Sequence, residues 1–151
     1  MTMAELHLIA HDIRSRENIG ALFRVCDSLG VKKLWLTGYT PAPPDAKISK
    51  VALGAEGSVV FEKVLDVTGV MKQFKKDGIS IFALEQTPEA QELSQFKAPP
   101  CLAILLGSER GGVSPSLLSM CDGAIQINQR GMKESLNVTI AAAIAAWAIL
   151  T

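Results

Sequence analysis

Short, mainly apolar runs alternate along this chain with segments of helical period. Leu6–Ala10, Ile79–Leu84 and Leu102–Leu106 have the length and composition of strands buried on both faces of a sheet. Ile19–Leu29 and Val67–Lys76 repeat apolar residues every three or four positions, as on one side of a helix. Strands that alternate with helices predict an α/β fold with a mostly parallel sheet and helices on both of its faces.

The remaining segments are predicted to continue this alternation. Further strands are expected at Val31–Thr37, Ser58–Glu62 and Ala124–Ile127. Further helices are expected at Ile48–Glu56, at Pro115 and at Ser135–Leu150. Two loops separate them, Gly38–Asp45 with its three prolines and Glu85–Pro100 with room for one turn of helix. Open α/β sheets bind ligands beyond the carboxyl ends of their strands, so chemistry is expected just after Leu84, Leu106 and Ile127.

The composition fits one globular domain of residues 1–151, because 48% of the residues are hydrophobic and 20% are charged. The formal net charge of zero argues against a protein that holds nucleic acid by charge alone. Residues 1–50 carry seven Lys and Arg against five Asp and Glu, which gives weak support to an RNA-facing N-terminal third.

The cysteines and the apolar segments indicate a cytoplasmic protein. Cys26, Cys101 and Cys121 are widely spaced and form no Cys-x-x-Cys pair, so they are expected to be buried thiols rather than disulfides or zinc ligands. The N-terminus lacks the basic and apolar parts of a signal peptide. The longest apolar run, Val138–Leu150, is shorter than the roughly 20 residues that a membrane span needs, so it is expected to be a core or interface helix.

Three polar motifs lie at predicted strand ends or helix starts: Asn18–Arg24, Leu106–Gly111 and Ser135–Asn137. A polar loop that leads into a helix leaves backbone N–H groups available to a ligand. Each motif also has a purely structural interpretation, because Asn and Ser cap helices and charged residues interact with helix dipoles or form surface ion pairs. The second motif contains neither Gly-x-Gly-x-x-Gly nor a Walker lysine, which disfavours a conventional dinucleotide-binding fold.

In their order and spacing these motifs resemble the SpoU (TrmH) family of RNA ribose 2′-O-methyltransferases, in the SPOUT superfamily, over nearly the whole chain. The resemblance implies a C-terminal trefoil knot, a homodimer and no metal. It also implies methyl transfer from S-adenosylmethionine to a 2′-hydroxyl of tRNA or rRNA, with S-adenosylhomocysteine as the product. No membrane partner is expected.

The resemblance also assigns site residues. The catalytic set is Asn18, Arg24, Glu109, Ser135 and Asn137. The set that binds S-adenosylmethionine, largely through backbone groups and an apolar wall, is Leu84, Gly107, Ile127, Gln129 and Leu136. The arginines expected to contact RNA are Arg24, Arg110 and Arg130. The family usually has Pro-Met where this chain has Asn128-Gln129, a departure that bears on the rigidity of that loop and on the geometry of the methyl donor.

Gly20 and Arg24 are four residues apart, so they are predicted to share one face of the first helix, with the glycine clearing space beside the guanidinium for a phosphate. The planar guanidinium suits bidentate phosphate contact, but it is a poor proton acceptor. Arg24 is therefore expected to clamp the phosphate and polarise the hydroxyl. Asn18 is left as either a helix cap or a catalytic residue, and Glu109 as a residue that orients Asn18, Arg24 or the ribose.

Few exposed aromatic residues are expected, since Trp35 and Trp147 suit core or dimer packing, and base stacking is therefore not supported. His7 and His11 are expected to be structural or surface residues. Two other classes of function remain open, a non-catalytic RNA-binding knotted module and a methyltransferase for a small molecule or a protein. The presence of all five polar residues of the catalytic set favours an enzyme.

Overall fold

The structure, a computed structural model, describes residues 4–132 and 135–151. Its strands are β1 (Glu5–His11), β2 (Lys33–Thr37), β3 (Phe61–Val64), β4 (Ser80–Leu84), β5 (Gln91–Glu92), β6 (Cys101–Leu106) and β7 (Gly123–Gln126). Its α-helices are α1 (Arg16–Leu29), α2 (Ala46–Ala52), α3 (Val67–Lys76), α4 (Pro115–Leu118) and α5 (Val138–Leu150). Two short 3₁₀ helices lie at Ala55–Gly57 and Leu93–Gln95.

The seven strands form one sheet in the order β3-β2-β1-β6-β4-β7-β5, and every pairing is parallel. The prediction of a parallel α/β sheet is therefore confirmed. The strand β6 returns from the far edge to lie between β1 and β4, so the carboxyl ends of β1, β6, β4 and β7 are neighbours. This arrangement brings loops that are distant in sequence to one edge of the sheet.

Apolar side chains of β1 alternate between two core layers. Leu6, Leu8 and Ala10 are fully buried in the layer that holds α1, α2 and α5. Ile9 is buried in the other layer, with α3 and α4. The prediction of helices on both faces is confirmed, because each layer closes one face of the sheet.

Several element boundaries differ from the predicted ones. The helix α1 begins earlier than expected, because Ser15 rather than Asn18 is its N-cap and accepts a hydrogen bond from the Asn18 N–H at 3.1 Å. The interpretation of Asn18 as a helix cap is therefore wrong. The predicted helix 48–56 divides into α2 and a 3₁₀ helix, because Leu53 ends α2 in a left-handed conformation. The predicted strand 58–62 lies instead at β3.

At the other end of the chain, α5 begins at Val138 rather than at Ser135. Asn137 is its N-cap, and the side-chain Oδ1 accepts hydrogen bonds from the N–H groups of Thr139 at 2.8 Å and of Ile140 at 3.3 Å. No helix within residues 4–132 and 135–151 combines the length and apolarity that crossing a membrane requires. Of the three cysteines, Cys26 is buried, as expected, and the other two are partly buried.

Gly20 is buried where α1 meets α2. A Cβ atom at this position would lie 2.7 Å from the carbonyl oxygen of Ile48 and 2.8 Å from Cβ of Val51. The space that the absent side chain leaves is thus filled by the second helix. The prediction that Gly20 clears space beside Arg24 for a phosphate is wrong, because Gly20 is buried whereas Arg24 is exposed.

We expect Gly20→Ala to lower the free energy of unfolding by about 1–3 kcal/mol, because the added methyl group meets backbone atoms of α2. Urea unfolding followed by circular dichroism measures this change. Gly57→Ala is the matched control, because, apart from its own residue and its chain neighbours, no atom of residues 4–132 or 135–151 lies within 4 Å of a Cβ built there. A Gly20→Ala protein as stable as the wild type would show that the two helices separate at little cost.

Candidate active site

A cavity of about 770 Å³ opens beyond the carboxyl ends of β4, β6 and β7. Its wall combines the strand ends with the loop 107–113, residues 125–127 and 129, and residues 135–138. This is the edge at which the strand pattern predicted the chemistry. The volume lies within the range of roughly 300–1,000 Å³ that is usual for small-molecule sites.

Eight of the ten predicted donor-binding and catalytic residues line this cavity, and the other two, Asn18 and Arg24, lie outside its wall. The five residues predicted to bind the methyl donor all lie in its wall: Leu84, Gly107, Ile127, Gln129 and Leu136. Three members of the predicted catalytic set lie there too: Glu109, Ser135 and Asn137. Among the predicted RNA-contacting arginines, Arg110 belongs to the wall and is exposed. The contacts that these side chains make with a ligand stay predictions.

The loop after β6 requires glycine where it turns back on the strand. Ser108 and Gly112 exchange backbone hydrogen bonds of 3.2 Å and 3.0 Å, which closes the loop. A Cβ atom on Gly107 would lie 2.2 Å from the carbonyl carbon of Gly112 and 2.5 Å from the nitrogen of Val113. Only a residue without a side chain fits, so Gly107 keeps the backbone of this loop close to the cavity.

Glu85 is a site residue that the sequence analysis missed. Its Oε2 accepts a hydrogen bond from the N–H of Val113 at 2.9 Å, so it ties the end of β4 to the loop that follows β6. It also lies in the cavity wall. A signal was present, since a carboxylate directly after a predicted buried strand stands at the carboxyl edge of the sheet, where ligand loops were expected.

Glu109 joins the second motif to the first. Its Oε1 accepts a hydrogen bond from the N–H of Arg14 at 3.1 Å, and its Oε2 accepts one from the N–H of Ser15 at 3.0 Å. The same Oε2 accepts a third hydrogen bond from Nδ2 of Asn18 at 3.2 Å. The Asn18 side chain in turn accepts a hydrogen bond at Oδ1 from Nδ2 of Asn137 at 3.2 Å. A continuous polar relay therefore links Glu109, Asn18 and Asn137, one residue from each motif.

The helix cap fixes the direction of this relay. Asn137 must turn its Oδ1 toward the N–H groups at the start of α5, so its amide nitrogen faces Asn18. Asn18 must then present its own oxygen to Asn137 and its nitrogen to Glu109. A second contact, from the hydroxyl of Thr139 to the backbone oxygen of Asn18 at 3.2 Å, holds α1 and α5 together at the same point.

The relay ends on an ionised carboxylate. Burial raises the pKa of Glu109, but the hydrogen bonds from the backbone N–H groups of Ser15 and Arg14 and from the Asn18 amide outweigh this effect, so the pKa lies below its usual range. Glu109 is thus set up to accept hydrogen bonds and to orient Asn18. The expectation that Glu109 orients Asn18 agrees with this geometry.

We expect Glu109→Gln to lower the free energy of unfolding at neutral pH by about 0.5–1 kcal/mol, because the amide N–H would face a backbone N–H, while water offsets part of the loss at this exposed residue. The pKa of Glu109 in the folded state lies below its usual value, so the ionised carboxylate stabilises the fold. This stabilisation is complete above the pKa of the unfolded state and is lost as the pH falls through the pKa of the folded state. The difference in free energy of unfolding between the variant and the wild type should therefore become smaller as the pH falls below about 4.5, the ordinary pKa range of a glutamate. Urea titrations at several pH values measure this difference.

Glu89→Gln is the matched control for this experiment. Glu89 is exposed, and its carboxylate has no hydrogen bond or ion pair with residues 4–132 or 135–151. We expect no loss of stability from this change. If the difference in free energy of unfolding between Glu109→Gln and the wild type did not change as the pH fell, the hydrogen bonds of the relay would not favour the ionised carboxylate.

The other two predicted RNA-contacting arginines lie outside the cavity wall. Arg24 is exposed on α1, six residues and about 9 Å of helix rise beyond Asn18. Its guanidinium makes no hydrogen bond or ion pair with the residues that the structure describes. Arg130 is also exposed, on the loop that follows β7. Within one chain, the fold does not bring Arg24 into the cavity.

Comparison with protein families identifies the fold and the motifs together. The model of the SpoU rRNA Methylase family matches residues 5–147. This chain belongs to that family. The match spans all three motifs, including both ends of the relay from Glu109 to Asn137.

Individual relatives are RNA methyltransferases of various lengths. The chain is 28% identical over 140 residues to the tRNA (guanosine(18)-2′-O)-methyltransferase of Thermus thermophilus, which covers 93% of this chain and 71% of that protein. It is 33% identical over 141 residues to the 23S rRNA (guanosine-2′-O-)-methyltransferase RlmB of Vibrio vulnificus, and this alignment covers 92% of this chain and 56% of that protein. The mouse tRNA (guanosine(18)-2′-O)-methyltransferase TARBP1 is 28% identical over 148 residues, and the chain spans only 9% of its length.

Solved structures have the same fold. The crystal structure of the TrmH/SpoU tRNA modifying enzyme of Aquifex aeolicus superimposes with a TM-score of 0.85 at 26% identity, covering 97% of this chain and 74% of that one. The SpoU methyltransferase AviRb of Streptomyces viridochromogenes, in complex with the cofactor AdoMet, gives a TM-score of 0.89 at 22% identity, covering 99% and 58%. These matches support the parallel α/β architecture.

Proposed function

We propose that this protein transfers the methyl group of S-adenosylmethionine to a ribose 2′-hydroxyl of tRNA or rRNA. The bond from sulfur to the methyl carbon breaks, a bond from the ribose oxygen to that carbon forms, the hydroxyl loses its proton, and S-adenosylhomocysteine leaves. The observation that carries the proposal is the relay that joins Glu109, Asn18 and Asn137, whose two end residues line the cavity, in a chain of the SpoU family.

The residues of the cavity suit the methyl donor. Leu84, Ile127 and Leu136 give apolar surface for an adenine ring, and the closed loop after Gly107 brings backbone groups to the wall. When bound, S-adenosylmethionine supplies an electrophilic methyl group on a sulfonium. Gln129 takes part in this wall although the loop lacks the Pro-Met pair that is usual in the family.

The relay positions the polar groups that meet the acceptor ribose. Glu109 holds Asn18, and Asn18 holds the amide of Asn137 at the start of α5. Ser135 lies in the wall two residues before this cap and offers a hydroxyl. Arg24 contributes from outside the wall, where its planar guanidinium contacts a phosphate of the RNA and polarises the hydroxyl to be methylated.

We also propose that the protein works as a homodimer through the exposed side of α5. Ile140, Ile144 and Trp147 follow one another at intervals of four and three residues and are 53%, 39% and 61% exposed. Such spacing places them along one side of the helix, a stripe of large apolar side chains that a second copy would cover. Sedimentation velocity is expected to give twice the mass of the 16.1 kDa chain.

Three further predictions from the sequence are kept as proposals. They are a single methyltransferase domain over residues 1–151, a C-terminal trefoil knot and a cytoplasmic location. The knot is proposed because the chain belongs to the SpoU family, which the resemblance describes as knotted at its C-terminal end. Limited proteolysis that leaves one resistant core would support the single domain.

The proposed function is tested with purified protein, S-adenosylmethionine carrying a tritiated methyl group, and total tRNA or rRNA from cells. We expect label to enter one RNA fraction at a ribose that becomes resistant to alkali. Binding of RNA without transfer would instead support the non-catalytic module, and label on a protein or small molecule would support the third class of function. Asn18→Ala should abolish the incorporation of label.

A further inference from the structure

Tyr39 is an exposed aromatic residue that the sequence analysis did not single out, and its exposure corrects the expectation that the chain offers no support for base stacking. It lies on the loop after β2, and the residue is 72% exposed. The guanidinium carbon of Arg14 lies 5.5 Å from the centre of its ring, within the range of a cation–π contact. The pair presents a flat π face beside a positive charge. This combination of groups is typical of surfaces that bind single-stranded nucleic acid.

The backbone beneath Tyr39 is held from several sides. The N–H of Tyr39 donates to Oδ1 of Asp12 at 2.8 Å, and Nζ of Lys63 donates to the carbonyl oxygens of Gly38 and Thr40. Thr40 is buried, and its hydroxyl donates to the backbone oxygen of Ala10 at 2.9 Å. A ring on such a support loses little conformational freedom when a base stacks on it, and such preorganisation favours binding.

The charged side chains around this loop differ in whether they already have hydrogen-bond partners within the protein. The ammonium group of Lys63 donates hydrogen bonds to two backbone carbonyl oxygens, and burial lowers the pKa of Lys63. Asp12 is partly buried and bonded to the loop. Arg14 is exposed, and its guanidinium has no ion pair or hydrogen bond with the part of the chain that the structure describes. Of the cations that the structure describes around Tyr39, Arg14 is thus the one placed to meet a phosphate.

The same loop is linked directly to the candidate active site. The backbone N–H of Arg14 donates to Oε1 of Glu109, the carboxylate that begins the polar relay. The strand β1, which precedes Arg14, lies between β6 and β2, and Tyr39 follows β2; all three strands are parallel, so both residues lie at the same edge of the sheet as the loop after β6. A nucleic acid strand that leaves the cavity along the carboxyl edge of the sheet therefore passes Arg14 and Tyr39.

We propose that Tyr39 and Arg14 form a second RNA contact beside the active site, at which an unpaired base near the methylated nucleotide stacks on the ring while Arg14 contacts a phosphate. The proposal rests on the proposed function, because it takes its substrate to be RNA. It gives the protein a means of selecting nucleotides in a loop or single strand. Paired bases do not expose a face to the ring, so a fully duplex RNA is excluded from this contact.

Four variants test the contact. Tyr39→Leu removes the π face but keeps an exposed apolar side chain, Tyr39→Trp keeps the π face, and Arg14→Ala removes the cation. Leu65→Ala is the matched control, because Leu65 is 73% exposed and its backbone oxygen accepts a hydrogen bond from the N–H of Gly38. The readouts are KM and kcat for the labelled RNA fraction, and the binding of a fluorescein-labelled single-stranded RNA 20-mer.

Tyr39→Leu is expected to raise both KM and the Kd of the 20-mer about tenfold, while kcat and donor affinity change less than twofold, since stacking on an aromatic side chain is a binding contribution. Tyr39→Trp should bind as the wild type does. Arg14→Ala should weaken binding and reduce the salt dependence by about one phosphate contact. A wild-type Kd for Tyr39→Leu, or an equal loss with Leu65→Ala, would overturn the stacking contact.

A coupling measurement identifies the stacked base. Once the methylated nucleotide is mapped, single abasic sites are placed at each flanking position of a substrate RNA. One abasic site should weaken binding to the wild type but not to Tyr39→Leu, and the absence of any such position would overturn the proposal. A wild-type protein that binds the 20-mer through Tyr39 but methylates no RNA would contradict the proposed function alone.

Discussion

Replacing Arg24 with alanine is expected to reduce methyl transfer to RNA at least about 100-fold while leaving the affinity for S-adenosylmethionine within about twofold of wild type. The guanidinium is exposed on α1 and lies outside the wall of the cavity, so nothing in its position ties it to the methyl donor. Its planar donor fork instead suits a phosphate of the RNA. Transfer is measured with the tritiated donor, and donor affinity by titration calorimetry.

Two further variants test whether the effect of Arg24→Ala depends on the shape of the guanidinium and on its position. Arg24→Lys keeps the charge but loses the bidentate geometry, so we expect an activity between those of the alanine variant and the wild type. Lys50→Ala on α2 removes a different exposed helical cation and should change transfer less than threefold if the effect is specific. Loss of donor binding together with activity in Arg24→Ala would place the guanidinium on the donor side of the site.

The alternation of strands and helices could be predicted because it depends on local patterns that tertiary packing does not override. The helix α3 has the predicted bounds of 67–76, since Asp66 caps its start and its buried residues repeat at helical spacing. The buried strands β4 and β6 differ from prediction only by one residue at their amino ends. In these segments the periodicity, the caps and the burial all favour the same boundaries.

The start of α1 was misplaced because two residues there suit a helix cap. Ser15 and Asn18 are both good caps by composition. Tertiary contacts decide between them, since Glu109 accepts hydrogen bonds from the backbone N–H of Ser15 and from the side chain of Asn18. A carboxylate more than ninety positions away thus assigns the cap, and no local pattern contains that information.

Some features of the candidate site could likewise be predicted from the sequence, and others could not. The motifs gave Asn18, Glu109 and Asn137, but their order could not show that these side chains touch one another, because the contacts join residues far apart in sequence. Glu85 and Tyr39 were missed because their roles depend on what their loops meet in space. Gly20 was misinterpreted for the opposite reason, since helical spacing alone cannot say which neighbour fills the space beside a glycine.

Gly107→Ala is expected to lower the free energy of unfolding by about 3 kcal/mol and to weaken S-adenosylmethionine binding at least tenfold. The new methyl group would lie 2.2 Å from the carbonyl carbon of Gly112, so backbone rather than a flexible side chain must move. The exchange of hydrogen bonds between Ser108 and Gly112 then breaks, and the loop no longer holds its place in the cavity wall. Thermal unfolding and donor titration measure the two effects.

Gly111→Ala in the same loop is the matched control. Among the residues that the structure describes, a Cβ atom there meets only Oγ of Ser108, at 3.1 Å, and a shift of a few tenths of an ångström relieves this contact while the hydrogen bond from the Gly111 N–H to that oxygen is kept. We expect its stability within about 1 kcal/mol and its donor affinity within about threefold of the wild type. If Gly107→Ala bound the donor as tightly as Gly111→Ala does, the loop after β6 would not form the donor site, and the assignment of the cavity to S-adenosylmethionine would have to be abandoned.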